Sequence, residues 1–272
     1  MPYSAADYWT NLHQRDNLSA VGQSALPAGI NRWLYRALAR NLRRFLGRHR
    51  VAPPAPARVL DVGAGTGYWV EFWRGRGAVV DGVDLVPLAV ERLAERYAGS
   101  GTFWVADVAQ TGSLRGEQYE LVTCLNVLLH VTDDEAFRRA LANVAGAVAP
   151  GGRLLLAEPI LHNAELETPY NPDRHSRARS LATYASPLAE AGLELVAVDA
   201  ATVLANNPIE ASSPAWMGRF QGWWKFVAGR SKRNPASSRW LGPLVYVADG
   251  VAIRTRAAPS SKFALFRRPP AA

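Results

Sequence analysis

From Asp61 to Gly67 the chain reads Asp-Val-Gly-Ala-Gly-Thr-Gly, with glycines at alternate positions directly behind the apolar pair Val59-Leu60. Glycine tolerates φ > 0 and lets the main chain lie against a ligand where a Cβ would collide. A short apolar run that enters such a turn and continues from Tyr68 in a helical pattern is a loop built to hold a ligand. The spacing narrows that ligand. A dinucleotide fingerprint places its third glycine three residues after the second, whereas here Gly67 comes two after Gly65 and Tyr68 holds the expected place. A phosphate-binding P-loop would need Gly-Lys-Ser/Thr, which this turn lacks.

The stretch Asp61 to Gly67 resembles motif I of the class I S-adenosylmethionine (SAM) dependent methyltransferases, Asp/Glu-x-Gly-x-Gly-x-Gly, and matches it throughout. The resemblance implies that Gly63, Gly65 and Gly67 admit the methionine and ribose part of SAM against the backbone. It implies that the following helix favours the SAM carboxylate with its N-terminus. Asp61 would hold the loop and reach the methionyl ammonium.

Asp84 closes the run Val79-Val80-Asp81-Gly82-Val83-Asp84 about 20 residues beyond Gly63, the separation at which an acid meets a ribose hydroxyl pair in nucleotide-binding folds. A carboxylate accepts from both hydroxyls at once, and Leu85 stands beside it. Asp81, two residues earlier, lies inside the run and is the weaker candidate. Asp107 follows Phe103-Trp104-Val105-Ala106; its counterpart in the family accepts from the adenine amino group while a main-chain amide, here at Val108, addresses the ring. A helix N-cap is the competing explanation for Asp107.

After Leu121 to Leu125 come Asn126 and His130. This resembles the segment of small-molecule methyltransferases in which a first polar group approaches the methionyl end and a histidine faces the acceptor. An ordinary imidazole pKa near 6.5 suits removal of a proton from a hydroxyl or ammonium, so His130 is the candidate base. Its alternative is a histidine packed against the next helix. The implied reaction is in-line displacement at a sulfonium, for which the protein aligns donor and nucleophile and excludes water. The implied acceptor is an oxygen or nitrogen, or a carbon, of a small organic molecule. Tyr8, Trp9, Glu158, His162, Arg174 and His175 are the candidate acceptor contacts, and no metal is expected. An RNA or protein acceptor and a non-catalytic SAM-binding protein are the rival readings.

The 272 residues are 49% hydrophobic, enough for one sizeable α/β core with extensions. No stretch approaches the roughly 20 uninterrupted apolar residues that span a bilayer, the N-terminus lacks a secretory pattern, and Cys124 is the single cysteine. A cytoplasmic protein is expected, with Cys124 as core filler. A net charge of +8 suits an anionic partner, but arginines spread through helical segments read first as solvated surface.

From Arg58 onward short apolar strands alternate with amphipathic helices, the mark of a parallel sheet covered on both faces. Strands are expected at 59–62, 79–84, 102–106, 119–125, 153–157, 193–198 and 263–266. Helices are expected near 68–73, 88–97, 133–148 and 181–191, with Thr132 or Asp133 capping the third and Pro150-Gly151-Gly152 stopping it. The fold class is therefore α/β, a Rossmann-like seven-stranded, mostly parallel sheet with helices on both faces. By the family resemblance the last strand inserts antiparallel beside the sixth.

Residues 1–57 read as an N-terminal helical cap, with Leu34, Leu38, Leu42, Phe45 and Leu46 on one stripe, and a Pro-rich connector. Residues 58–272 read as the SAM-binding domain with insertions at about 159–180 and 206–260. The second insertion interleaves Trp216, Phe220, Trp223, Trp224, Phe226 and Trp240 with basic residues. It is expected to be a helical substrate cover, with a homodimer contact or a membrane-surface element as its other uses.

Overall fold

A computed structural model describes residues 4–51, 57–168, 175–255 and 257–271. The chain divides into two compact units. The first comprises residues 1–13, 52–197 and 264–272, and the second residues 14–51 and 198–263.

The first unit opens with helix α1 (Ala5–His13) and is built on strands β1 (Arg58–Val62), β2 (Val79–Asp84), β3 (Phe103–Val105), β4 (Tyr119–Leu125) and β5 (Val148–Glu158). Pairings of β1 with β2 and β4, of β2 with β3 and of β4 with β5 are all parallel. Helices α3 (Tyr68–Arg74), α4 (Pro87–Arg96), α5 (Asp134–Gly146) and α6 (Leu181–Glu190) make the crossovers. The strands form because Val, Leu and Ile runs buried on both faces suit a parallel ladder; Val59, Leu60, Val80, Val122, Leu154, Leu155 and Leu156 have no exposed surface. Strands β8 (Glu194–Ala200) and β9 (Lys262–Arg267) complete a mixed seven-stranded sheet of order β3-β2-β1-β4-β5-β9-β8. The last strand thus sits between the fifth and sixth core strands. The reversal of strand order beside β1 puts the β1 and β4 tips at the topological switch point, where open α/β sheets bind ligands.

Local chemistry sets the boundaries. Asp133 caps α5, its side chain accepting from the Ala136 amide at 2.8 Å, and Ser180 caps α6 through the Thr183 amide. The expected helix to Val148 stops at Gly146, and Pro150-Gly151-Gly152 lies inside β5. The reason is tertiary: Val148 already pairs with Tyr119, and a register shift between Tyr119 and Leu121 accommodates the turn residues within the strand. A two-stranded parallel sheet, β6 (Ile160–Leu161) with β7 (Arg179–Ser180), closes the segment after β5. Of the expected Pro-rich connector, residues 52–56 lie outside the described residues, as does Arg174.

The second unit is helical: α2 (Ala28–Arg48), α7 (Pro214–Arg233) and α8 (Ser238–Ala252). Ile30, Leu34 and Ala37 of α2 pack with Trp224, Val227, Leu241 and Val245, and the whole expected stripe from Leu34 to Leu46 is buried. A Cβ on Gly242 would come within 2.0 Å of the Trp33 ring, so glycine lets α8 approach α2.

At the centre of this unit the fully buried Asp249 carboxylate accepts from Arg40 Nη2, Asn41 Nδ2 and the Val203 and Leu204 amides at 2.8 to 2.9 Å. Removing a buried charge's partner costs about 3–5 kcal/mol. Asp249→Ala should lose about that much in urea denaturation, and a loss below 1 kcal/mol would show that the four donors find water instead.

Candidate functional site

The β1 tip carries Asp61, which is buried. Thr123 Oγ1 of the neighbouring strand donates to its Oδ1 at 2.7 Å, while Oδ2 is buried with no hydrogen-bond partner among the described residues. Burial pushes this carboxyl up to about 7 against the Thr123 bond, with nearby Asp84 adding to the rise. Beyond Asp61 the glycine loop turns toward β2, and the Gly63 and Ala64 amides both donate to Val83 O at 2.8 and 3.0 Å. Gly63 has φ +73° and a Cβ there would meet Val127 at 2.3 Å, so its lack of a side chain allows the loop to touch the turn after β4.

Asp84 ends β2 and staples two turns. Its Oδ2 accepts from the Gly65 amide at 2.8 Å and its Oδ1 from the Val86 amide at 2.9 Å. Burial raises its pKa, while those amides and the charge of His13 oppose the rise. Each oxygen keeps lone-pair capacity for a further donor. Asp81 is different: Arg58, the Tyr119 hydroxyl and the Thr102 amide all bond to it, so it is committed to the sheet. Asp107 caps no helix. Its Oδ1 accepts from the Ala109 amide at 2.8 Å in a local turn, with Val108 buried beside it and Leu85 half-buried near Asp84.

At the β4 tip Asn126 takes φ +61°, a left-handed conformation that Asn tolerates better than most residues, and its amide donates to Ala157 O. The turn after it is held from below by Glu158, fully buried at the end of β5. Glu158 Oε1 accepts from the Val127 and Leu128 amides at 2.9 Å and Oε2 from the Leu129 amide at 3.1 Å. Burial lifts its pKa to about 7 in spite of those bonds. Both oxygens thus serve the turn that ends in His130.

His130 Nδ1 donates to the His175 carbonyl at 2.8 Å, an arrangement that leaves the lone pair on Nε2. Desolvation lowers its pKa to about 4, not the ordinary value expected from sequence, so the imidazole is neutral at pH 7. The Trp9 ring meets His130 edge-on at 4.7 Å and Tyr8 meets His175 at 4.7 Å. Helix α1 therefore runs from the β4 turn to the neighbourhood of Asp84, where its last residue, His13, is buried. Arg177 pins the same turn, its amide donating to Leu129 O and its guanidinium to Asp134. His162 is exposed on the segment after β6.

The strand tips thus gather Asp61, Asp84, Asn126 and, under α1, His130, with Glu158 beneath them. Thr123 and His13 escape a reading of the sequence. Thr123 bears on Asp61 only through the β1–β4 register, and His13 lies far from Asp84 along the chain. A buried carboxylate with one oxygen unpartnered, beside a glycine loop and a second acid, is suited to a ligand that combines a cationic donor with a vicinal hydroxyl pair.

Residues 30–198 match the methyltransferase domain family. A ubiquinone biosynthesis O-methyltransferase of Aeromonas salmonicida is 37% identical over 103 residues, 37% of this chain and 42% of that protein. The chain spans less than half the length of the curated relatives it matches. Among solved structures, the cyclase SpnF superposes with a TM-score of 0.54 at 17% identity, covering 86% of this chain and 81% of that one. The magnesium protoporphyrin IX methyltransferase of Synechocystis, solved with bound S-adenosylhomocysteine, superposes with a TM-score of 0.51 at 16% identity, covering 88% and 87%. These likenesses show the fold, and the presence of a cyclase among them shows that the fold alone does not set the reaction.

The orphaned oxygen has a measurable consequence. Asp61 ionises near 4 when unfolded and near 7 when folded, so its contribution to stability is present below about pH 4 and is lost as pH rises through 7. Asp61→Asn escapes that loss. In ligand-free protein the variant should gain on wild type between pH 5 and 8, reaching roughly 2–4 kcal/mol; parallel urea stability curves would remove the buried, unpaired carboxylate.

Proposed function

Because the chain belongs to the methyltransferase domain family, we propose that it is a SAM-dependent methyltransferase acting on a hydroxyl of a small, flat organic molecule. The observation that carries this reading is the unpartnered Asp61 Oδ2, buried where a glycine loop and Asp84 also converge. An ammonium satisfies that oxygen, and a ribose diol matches the remaining acceptor capacity of Asp84. Gly63, Gly65 and Gly67 all take positive φ, which sets the turn of the loop at the β1 tip, and Asp107, Leu85, Val108 and Asn126 complete the proposed cofactor-holding set. When bound, SAM supplies an electrophilic methyl group on a sulfonium.

The protein's own residues orient and desolvate the acceptor. Trp9 and Tyr8 present aromatic surface next to His130 and His175, which favours a planar ring. His130 Nε2 accepts a hydrogen bond from the acceptor hydroxyl and orients its oxygen toward the methyl group, the proton passing on to water once the methyl is transferred, and the Nδ1 bond to the His175 carbonyl keeps that tautomer in place. With its pKa near 4 it stands unprotonated through the neutral range, ready as an acceptor but a weak base. Oxygen as the methylated atom agrees with the O-methyltransferase of Aeromonas salmonicida to which the chain is similar.

Two measurements test the reading. SAM titrated by calorimetry at pH 7 in buffers of different ionisation enthalpy should release a fraction of a proton, because an ammonium lowers the raised Asp61 pKa. Asp61→Asn should bind at least tenfold more weakly and release none, and absence of SAM binding by wild type would end the proposal. With hydroxylated aromatic acceptors, His130→Ala should lower kcat by about 10²-fold while leaving SAM affinity within twofold. Wild-type kcat should show no His130 limb from pH 6 to 9, and an unaltered kcat in the variant would exclude the histidine.

A further inference from the structure

The chain's charge is strongly divided. Residues 14–51 and 198–263 hold 17 Lys and Arg against four Asp and Glu, whereas the remainder of the chain holds 14 against 19. The helical unit thus carries +13 and the sheet unit −5, which together make the overall +8. The acids of the helical unit do little to neutralise its surface. Asp249 is buried among its four donors, Glu210 is buried with Lys262, and Asp199 pairs with Arg48 and His49.

On this basic unit α8 carries apolar residues on both sides. Leu241 and Val245 face its core, while Trp240, Leu244, Val247 and Val251 recur at helical spacing and are 48%, 44%, 61% and 62% exposed. Trp216 and Phe226 of α7 are each 48% exposed as well. Basic side chains border two of these groups, Arg219 lying over Trp216 at 4.8 Å and Arg230 near Trp240 at 6.0 Å, and Lys225, Lys232, Arg233 and Arg239 of the same two helices are exposed as well. Neither α7 nor α8 contains an acid besides the buried Asp249. No helix among the described residues is long and apolar enough to cross a membrane.

From this arrangement we infer that the exposed α7–α8 surface binds the face of an anionic lipid bilayer. Tryptophan with aliphatic neighbours enters the headgroup and acyl boundary, and Lys and Arg meet lipid phosphates while their stems lie along the apolar surface. The charge selects this occupant. A symmetric contact with a second copy would bring two +13 units together without acids to pair them. A nucleic acid would satisfy the basic groups and the tryptophans but gives Leu244, Val247 and Val251 nothing apolar to cover.

Co-sedimentation of the full chain with vesicles tests this. Wild type should bind phosphatidylcholine vesicles containing about 30 mol% phosphatidylglycerol at least tenfold better than pure phosphatidylcholine, and 0.5 M salt should weaken the binding. The double variant Val247→Glu/Val251→Glu and the charge variant Arg230→Glu/Arg233→Glu should each lose at least tenfold while keeping circular dichroism, melting temperature and SAM affinity. The SAM measurement separates this result from any failure of the proposed activity.

Absence of binding by wild type, or binding unchanged in both variants, would overturn the inference. So would tighter binding to a 20-nucleotide single-stranded RNA that the Val247→Glu/Val251→Glu variant leaves unaltered. Dimerisation by size-exclusion chromatography that this variant abolishes, without vesicle binding, would assign the surface to a second copy instead.

Discussion

The bond from the Asp84 carboxylate to the Gly65 amide is the contact on which the site's geometry depends. It ties the turn after β1 to the tip of β2, and the same carboxylate holds the Val86 amide that leads into α4. Turns at strand tips have no ladder to satisfy their amides, and a buried amide must be paired. A carboxylate is the strongest acceptor for the purpose, at the expense of its own desolvation. Glu158 repeats the solution with three amides, and Asp249 with two amides and two side chains. Asp61 departs from the pattern because one oxygen is left over. Among these buried acids Asp61 is the one with an oxygen left without a partner, and the proposed ammonium contact rests on that oxygen.

His130 shows how the same burial shapes reactivity. The sequence invites a histidine of ordinary basicity, yet desolvation holds the ring neutral and the His175 carbonyl selects its tautomer. The result is an acceptor fixed in direction rather than a strong base. That property follows from Trp9 and the 175–179 segment closing around the turn, contacts that arise from residues far apart in the chain.

What was legible in the sequence follows the range of the forces involved. Strands β2 and β4 match their expected bounds: Val79-Val80 and Leu121-Val122 supply short apolar cores of the kind a parallel strand buries, and the acid Asp84 and the Asn126 turn mark the ends. The Pro150-Gly151-Gly152 stop signal misled because pairing of Val148 with Tyr119 decides that boundary, and local signals carry no knowledge of a partner strand. The glycine loop and the acids at the strand tips were legible through spacing. Thr123 as support for Asp61, His13 beside Asp84 and Glu158 as the anchor of a turn were not, since each depends on register or on packing between distant segments. The overall charge was likewise visible while its division between two units was not, because the basic unit draws on two separate stretches of chain.

That discontinuity has a consequence during synthesis. Helix α2 is complete by Arg48, but the Trp224, Val227, Leu241 and Val245 side chains that cover its apolar stripe are translated nearly 200 residues later. At roughly 5–20 residues per second the nascent chain carries an uncovered amphipathic helix for about 10–40 s. The intervening α/β segment can begin to collapse on the ribosome while the helical unit waits for both of its halves. The emerging polypeptide is therefore exposed to chaperones and to premature association through α2 for longer than through any part of the parallel strands.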